Sequence, residues 1–370
     1  MNRVSYVWDA SLDKQLDKIE QISDRSRLVN HLVAGYKLTS QLLILKNTEA
    51  SDVEVASFHS TEYIDKLKSI SSVQIDQEYD DDGDDEQEEY GLGYDCPVID
   101  GIYDFVKAVV GSSITAARSL IDGSAHIAIN WYGGWHHAQR EEAKGFCYAN
   151  DIVCAINTLR QKFPRVLYID LDIHHGDGVE NAFAFSQNVL TLSLHKYEVG
   201  YFPGSGAITD IGRGNGKFYS INVPLQDGIR DELYSTVFER VSTILFNAFE
   251  PDVIVVQCGC DSVVGDPLGT FNLTPKGIGS CVRKILAWAK PTLFLGGGGY
   301  NATNAARCWT YLTSLILNSE ISSEIPDNRF FLKYGPGFEL DISPGNRPDC
   351  NSTKDIENYI QTIKGKISRT

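Results

Sequence analysis

The chain has 370 residues, 42% of them apolar and 22% charged, and a formal net charge of −16. These fractions exclude a disordered, collagenous or coiled-coil chain, and no run of about 18 apolar residues is present to span a bilayer. The acidic balance is the opposite of that expected of a nucleic-acid binder. Much of it sits in residues 76–89 (DQEYDDDGDDEQEE), which hold ten acidic and no basic residues. That run, within a segment at about 73–89, reads as a solvated loop, with an electrostatic lure for Lys-rich ligands as the alternative. The opening MNRVSYVWDASLDK lacks the charged and apolar regions of a secretory signal, so an intracellular chain is expected. Its eight cysteines form no C-x-x-C pair and read as reduced thiols, with packing the role of Cys258 and Cys260.

In chain order, the N-terminal third reads as mostly helical, with helices over 25–43, 62–70 and 99–121. Nearly continuous apolar runs then recur at 126–131, 165–173, 189–195, 219–225, 253–259 and 291–300, the pattern of strands buried on both faces of a parallel sheet. Helical spacing falls between or after them, over 148–163, 231–249, 274–289 and 302–317, and a last amphipathic helix spans 354–367. No repeat and no dividing linker is present. Alternating β and α elements predict a single α/β domain over residues 1–370 with a mainly parallel sheet.

Ligands of such sheets bind beyond the carboxyl ends of the strands. There the sequence places Gly133–Gly134–Trp135–His136–His137, then Asp170, Asp172, His174, His175 and Asp177, then Asp261, then Gly296 to Gly299 and Tyr300. Four of the eight histidines lie in the two His-His pairs. Asp170 and Asp172 in an apolar run are costly unless paired or metal-bound, and helix capping or arginine pairing are the bland readings. Asp172, His174 and Asp261 form an O,N,O set that leaves a position open, the mark of catalytic zinc, and such oxygen-rich ligation also suits Fe(II) or Mn(II). His136 and His137 read as bases, or as a surface or ligand pair, with Asp170 and Asp177 suited to orient them. The Gly-rich turn lacks phosphate-loop spacing. Tyr300 beyond it suits donation to an oxyanion. Together these parts predict metal-assisted hydrolysis, with no serine or cysteine nucleophile in evidence.

The motifs WYGGWHHAQREEAKGFCYANDIV, YIDLDIHHGDGVENAF, FPGSG, CGCDSVVGDPLGTFNLT and LGGGGYNATNAARCWTYLT resemble those of class I zinc-dependent histone deacetylases, from about Tyr6 onward. YGLGYDCP, the tryptophan of GGWHH and the short segment after the last motif resemble the histone deacetylase 8 type. The resemblance implies an arginase/deacetylase fold around an eight-stranded parallel sheet. It implies zinc on Asp172, His174 and Asp261, His137 with Asp177 as general acid/base, His136 with Asp170 as its electrostatic neighbour, and Tyr300 as oxyanion donor. It gives the acyl-lysine tunnel to Gly145, Phe146, Phe202, Trp135 and Leu268, and the substrate-backbone contact to Asp95. It implies K+ at Asp170, Asp172, His174, Ser193 and Leu194, and again at Phe183, Ser186, Val189 and Tyr219. It gives an acetate channel to Arg25, Gly133, Gly297 and Gly299, with Arg27 close by in the same segment. Leu268, where the type usually has methionine, and Tyr132, where a small residue is commoner, are departures.

The expected substrates are acetylated lysine peptides of histones and other proteins, and hydroxamate-type inhibitors are expected to bind. Direct nucleic-acid binding and membrane association are not expected, and activity without a corepressor complex is. The resemblance implies residence in nucleus and cytoplasm. Acetylpolyamine hydrolysis, a two-manganese ureohydrolase and a non-catalytic acyl-lysine reader are the alternatives.

Overall fold

The computed structural model of the chain describes residues 3–71 and 89–367. The acidic segment expected at 73–89 therefore lies, Glu89 apart, outside the described residues. Eight strands form one sheet: β1 (Val4–Val7), β2 (Leu43–Leu45), β3 (Ile127–Asn130), β4 (Val166–Asp170), β5 (Val189–Lys196), β6 (Ser220–Leu225), β7 (Val253–Gln257) and β8 (Thr292–Leu295). Their order is β2-β1-β3-β8-β7-β4-β5-β6, and every pairing is parallel. This is the single-domain α/β architecture of the arginase/deacetylase fold.

The apolar runs are continuous because each strand feeds two cores. Along β7, Val253 and Val255 pack on one face while Ile254 and Val256 pack on the other. Along β4, Val166 and Tyr168 part from Leu167 and Ile169 in the same way. One face is covered by α2 (Arg25–Gly35), α8 (Asp231–Phe249), α9 (Pro275–Ala287), α10 (Ala302–Ile316) and α11 (Thr353–Ile367). The other is covered by α1 (Ala10–Leu16), α4 (Thr61–Ser71), α5 (Ile102–Ile121) and α6 (Asp151–Leu159), with short helices α3 (Asp52–Val55) and α7 (Asp177–Phe183) at its margin. Period-2 alternation in buried strands sends neighbouring residues to opposite layers, so both layers are needed to keep the sheet dry.

Two sequence expectations change. The helix expected over 25–43 stops at Gly35, and Lys37 takes a left-handed conformation (φ 59°) before a 3-10 turn and β2. The N-terminal third therefore also carries β1 and β2, which pair in parallel at one edge of the sheet. The strand runs at 165–173 and 291–300 are shorter in the structure, since β4 ends at Asp170 and β8 at Leu295. Beyond those ends the backbone turns away to present side chains and amides to the site.

Register fixes where the site lies. Asn130 pairs with Leu295, Leu295 with Gln257, Gln257 with Asp170, and Asp170 with Ser193, in one row across the sheet. Every candidate polar group of the centre stands at this row or in the loops just beyond it.

Candidate active site

The segment after β4 supplies Asp172 and His174, and the loop after β7 supplies Asp261. One ligand atom of each lies within 4.8 Å of the others, and all three residues are buried. His174 Nδ1 stands 3.1 Å from Asp172 Oδ1 and 2.9 Å from Asp261 Oδ2. The outer oxygens are committed elsewhere. Asp172 Oδ2 accepts from Gln257 Nε2 (2.7 Å) and the Gly298 amide (2.9 Å), and Asp261 Oδ1 accepts from the Ile173 amide (3.0 Å). Each carboxylate is thus held by its outer oxygen while its inner oxygen faces the centre.

Backbone presses close around this set. A β-carbon at Gly298 would lie 2.1 Å from Asp261 Oδ2, so a side chain there would displace a ligand. Burial, and then the Asp172 charge, push the Asp261 carboxyl up to about 7. Asp172 is held well below the usual carboxylate range; burial opposes this, but the His136 charge and His174 outweigh it. Two carboxylates and one imidazole in a dry pocket carry more negative charge than His174 can offset. The donor set fits a divalent cation, Zn(II) or Fe(II).

The His-His loop follows β3 and is drawn down by Asp151, the first residue of α6. Asp151 accepts from the amides of Gly134 (3.0 Å) and Trp135 (2.8 Å) and from Ser113 Oγ (2.5 Å). Asn150, which caps α6, donates to the carbonyls of Ala138 (3.0 Å) and His136 (3.4 Å). His136 Nδ1 meets Asp170 Oδ2 at 2.8 Å, and His137 Nδ1 meets Asp177 Oδ1 at 2.7 Å. The two free nitrogens face each other, His136 Nε2 and His137 Nε2 being 2.9 Å apart. At that distance both cannot carry a proton, so the pair titrates as a unit. Burial works against the His136 cation, but Asp170 and Asp172 raise this imidazole to about 9. Burial and the His136 charge press His137 down to about 3. The arrangement holds one cationic and one neutral imidazole side by side.

One cavity is lined by Trp135, Gly145 and Phe146, by His136, His137 and Tyr300, and by Arg25. Phe202 stands edge-on to His137 (centroids 4.9 Å), and Tyr300 edge-on to Phe146 (5.5 Å). Leu268 and Phe202 are exposed at the outside, 41% and 37%. Asp95 accepts from the Gly145 amide (2.8 Å). At the inner end Arg25 donates to the carbonyls of Gly297 (3.0 Å) and Gly299 (2.9 Å) and lies over Trp309 (4.9 Å). Gly133 and Gly297 line the cavity with it. Arg27 points away and pairs with Asp17 and Asp24. The structure thus separates the two arginines that the sequence left close together.

The residues that the resemblance assigned to monovalent cations gather along β5. Ser193 lies beside Asp170, its hydroxyl 2.8 Å from His195 Nδ1, with Leu194 next in the strand. The second group lies near the strand's start, where the Ser186 amide donates to the Phe183 carbonyl (2.8 Å) and the Thr191 amide to the Tyr219 carbonyl (2.9 Å), with Val189 opening β5.

Sequence reasoning missed several partners. Gln257, Asp151 and Asn150 hold the loops from below. Asp266 holds the amides of Tyr300 (2.6 Å), Asn301 (3.2 Å) and Leu268 (2.9 Å), joining two loops of the site. Tyr201 stacks on His174 (5.4 Å, 4°) and donates to the Leu268 carbonyl (3.1 Å). Lys144 reaches Asp177. The departure at Tyr132 also has a structural account, since its hydroxyl donates to Asp13 Oδ1 (3.1 Å) and accepts from Asn30 Nδ2 (2.7 Å) in a buried network.

Comparison with known proteins agrees with this geometry. Residues 19–316 match the histone deacetylase domain family. The chain is 48% identical to histone deacetylase 8 of Xenopus tropicalis over 98% of this chain and 97% of that protein. It is 47% identical to histone deacetylase 8 of Danio rerio over 98% and 95%. Identity to human histone deacetylase 1 is 44% over 93% of this chain and 69% of the relative. The chain belongs to the histone deacetylase family, hydrolases that remove acetyl groups from lysine, and within it to the histone deacetylase 8 type.

Proposed function

We propose that the chain, one catalytic domain over 1–370, hydrolyses the amide of acetyl-lysine and related acyl-lysines in histones and other proteins. The observation that carries this reading is a cavity lined by two carboxylate-bound histidines and Tyr300, with a buried Asp–His–Asp set directly beside it: Gly298 of the lining donates to Asp172, and His137 stands edge-on to His174 (6.0 Å). A divalent cation on Asp172, His174 and Asp261 would polarise the acyl carbonyl and acidify a water. His137, fixed by Asp177, takes up the water's proton and later delivers it to the leaving amine. His136, fixed by Asp170, holds a positive charge beside the developing negative one. Tyr300 donates to the oxyanion, a contribution of a few kcal/mol for a preorganised donor.

Gly145, Phe146, Trp135, Phe202 and Leu268 provide apolar walls for the methylene stem of the acyl-lysine, and Asp95 holds the peptide backbone. Arg25 with the Gly133, Gly297 and Gly299 turns guides acetate away. Asp170 and Ser193 beside β5 would hold K+, whose charge would steady Asp170 and its neighbours. Hydroxamates fit the same cavity, with a zinc-binding head and a slender stem. We further assign the protein to nucleus and cytoplasm, acting without a corepressor complex.

The test is acetate release by metal-stripped protein before and after Zn(II) or Fe(II), on acetyl-lysine peptides, longer acyl-lysines and acetylpolyamines. The reading requires metal-dependent release from acetyl-lysine peptides, abolished in His137→Ala. Turnover confined to polyamines would replace the substrate class. No turnover by folded, metal-loaded protein would contradict catalysis and favour an acyl-lysine reader.

A further inference from the structure

Lys144 opens the tight turn that carries Gly145 and Phe146. Its backbone exchanges both hydrogen bonds with Cys147, at 3.0 and 2.9 Å, so the turn fixes where the side chain begins. The side chain leaves the turn and places Nζ 2.6 Å from Asp177 Oδ2. The same ammonium lies 5.7 Å from the centre of the Phe202 ring. One side chain thus links the turn forming one tunnel wall, the ring forming the other, and the carboxylate behind His137.

Asp177 has two functional oxygens. Oδ1 receives His137 Nδ1 at 2.7 Å, while Oδ2 receives Lys144 and, more loosely, Gln139 Nε2 at 3.1 Å. A carboxylate turns about its bond to Cβ, so whatever grips Oδ2 sets the direction of Oδ1. Exposed ion pairs contribute little. This pair is different, because the Asp177 side chain is 4% exposed and that of Lys144 is 31% exposed. A charge-assisted bond to a buried carboxylate is shorter and about twice as strong as a neutral one.

We infer that Lys144 is a positioning residue for the hydrolysis: its ammonium clamps Asp177 so that His137 stays aimed into the tunnel. The kinetic arm of this inference rests on the deacetylase reading, and the spectroscopic arm does not. The two are tested on Lys144→Met, which keeps the stem and removes the charge, and on Lys144→Arg, which keeps the charge.

The first readout is the downfield proton resonance of His137 Nδ1, assigned by its loss in His137→Ala. It broadens through faster solvent exchange in Lys144→Met and persists in Lys144→Arg. The second readout is steady-state kinetics on an acetyl-lysine peptide. Removing the clamp lowers kcat about tenfold, the lower end for losing an outer partner of a site ligand, with KM within about twofold, and arginine restores kcat. An unchanged resonance and kcat in Lys144→Met overturn the inference. So does a raised KM with unchanged kcat, which would make Lys144 a substrate contact. Failure of arginine to restore either readout would make the residue a support of the turn, independent of its charge. If wild-type protein releases no acetate, the deacetylase reading fails, and the resonance alone decides the role of Lys144.

Discussion

Replacing Gln257 by leucine removes the side chain that grips the metal centre from the sheet. Gln257 ends β7, donates to Asp172 Oδ2 at 2.7 Å and accepts from the Gly259 amide at 2.7 Å. Leucine keeps the volume and loses both bonds. Asp172 Oδ2 retains only the Gly298 amide at 2.9 Å, so this oxygen is held by one donor in place of two, while Oδ1 keeps the His174 amide at 3.0 Å. A hydrogen bond to a buried charged group contributes about 1.5–3 kcal/mol. At about 1.4 kcal/mol per tenfold, that is roughly 10- to 100-fold in metal affinity, the range measured for outer partners of metal ligands. The assay is equilibrium competition for Zn(II) against a chromophoric chelator, with acetate release measured at saturating metal. Affinity should fall by that factor, while the rate at saturation stays close to wild type. Affinity within twofold of wild type would refute the claim that Gln257 orients Asp172. So would a large loss of rate at saturation with affinity intact.

Tyr300→Phe removes the oxyanion donor and should cost about 10²–10³ in kcat with metal affinity unchanged; a loss below fivefold would remove Tyr300 from that role. A β-carbon at Gly145 would stand 2.6 Å from His137 Cδ2 and 2.9 Å from Phe202 Cζ at φ +55°, so Gly145→Ala should narrow the tunnel and lower kcat/KM on peptides while leaving Zn(II) binding intact. Unchanged kcat/KM would show that the tunnel does not pass there. Burial lowers His59 from 6.5 to about 4. The unfolded chain binds this proton first, so the contribution is full above pH 6.5 and lost as pH falls toward 4. Between pH 7 and 5 that is about 2 kcal/mol of stability, measurable by urea unfolding. His59→Gln should flatten that stretch of the stability–pH curve, and an unaltered slope would count against the assignment.

The legible parts of the fold were those with strong physical signatures. Six strands stood out because residues buried on both faces leave no polar alternation to confuse with helix. β1 and β2 did not stand out, because VSYV has no longer apolar run around it and LIL overlaps the end of the segment read as a helix. The 25–43 segment read as one helix because leucines continue past Gly35, and nothing in the pattern marks the left-handed turn at Lys37. Asp172, His174 and Asp261 were legible because buried charge in an apolar run needs a partner. Gln257, Asp151 and Asp266 were not, since one polar residue at a strand end or helix start is ordinary and its partner is distant. Gln257 meets Asp172 across 85 positions of sequence, and only the β4–β7 register brings them together. Lys144 is of the same kind, a charge in a polar loop whose partner Asp177 lies 33 positions away in sequence.

The central claim is that one metal on Asp172, His174 and Asp261 works with His137 to hydrolyse acyl-lysine. The most direct measurement titrates metal-free protein with Zn(II), recording bound metal and acetate release in the same samples. The rate should rise in proportion to bound metal and break at one equivalent per chain. His137→Ala should bind the same equivalent without turnover, and Asp261→Asn should bind it far more weakly. Acetate release from metal-free protein, or a rate that rises only with a second equivalent, would contradict the account.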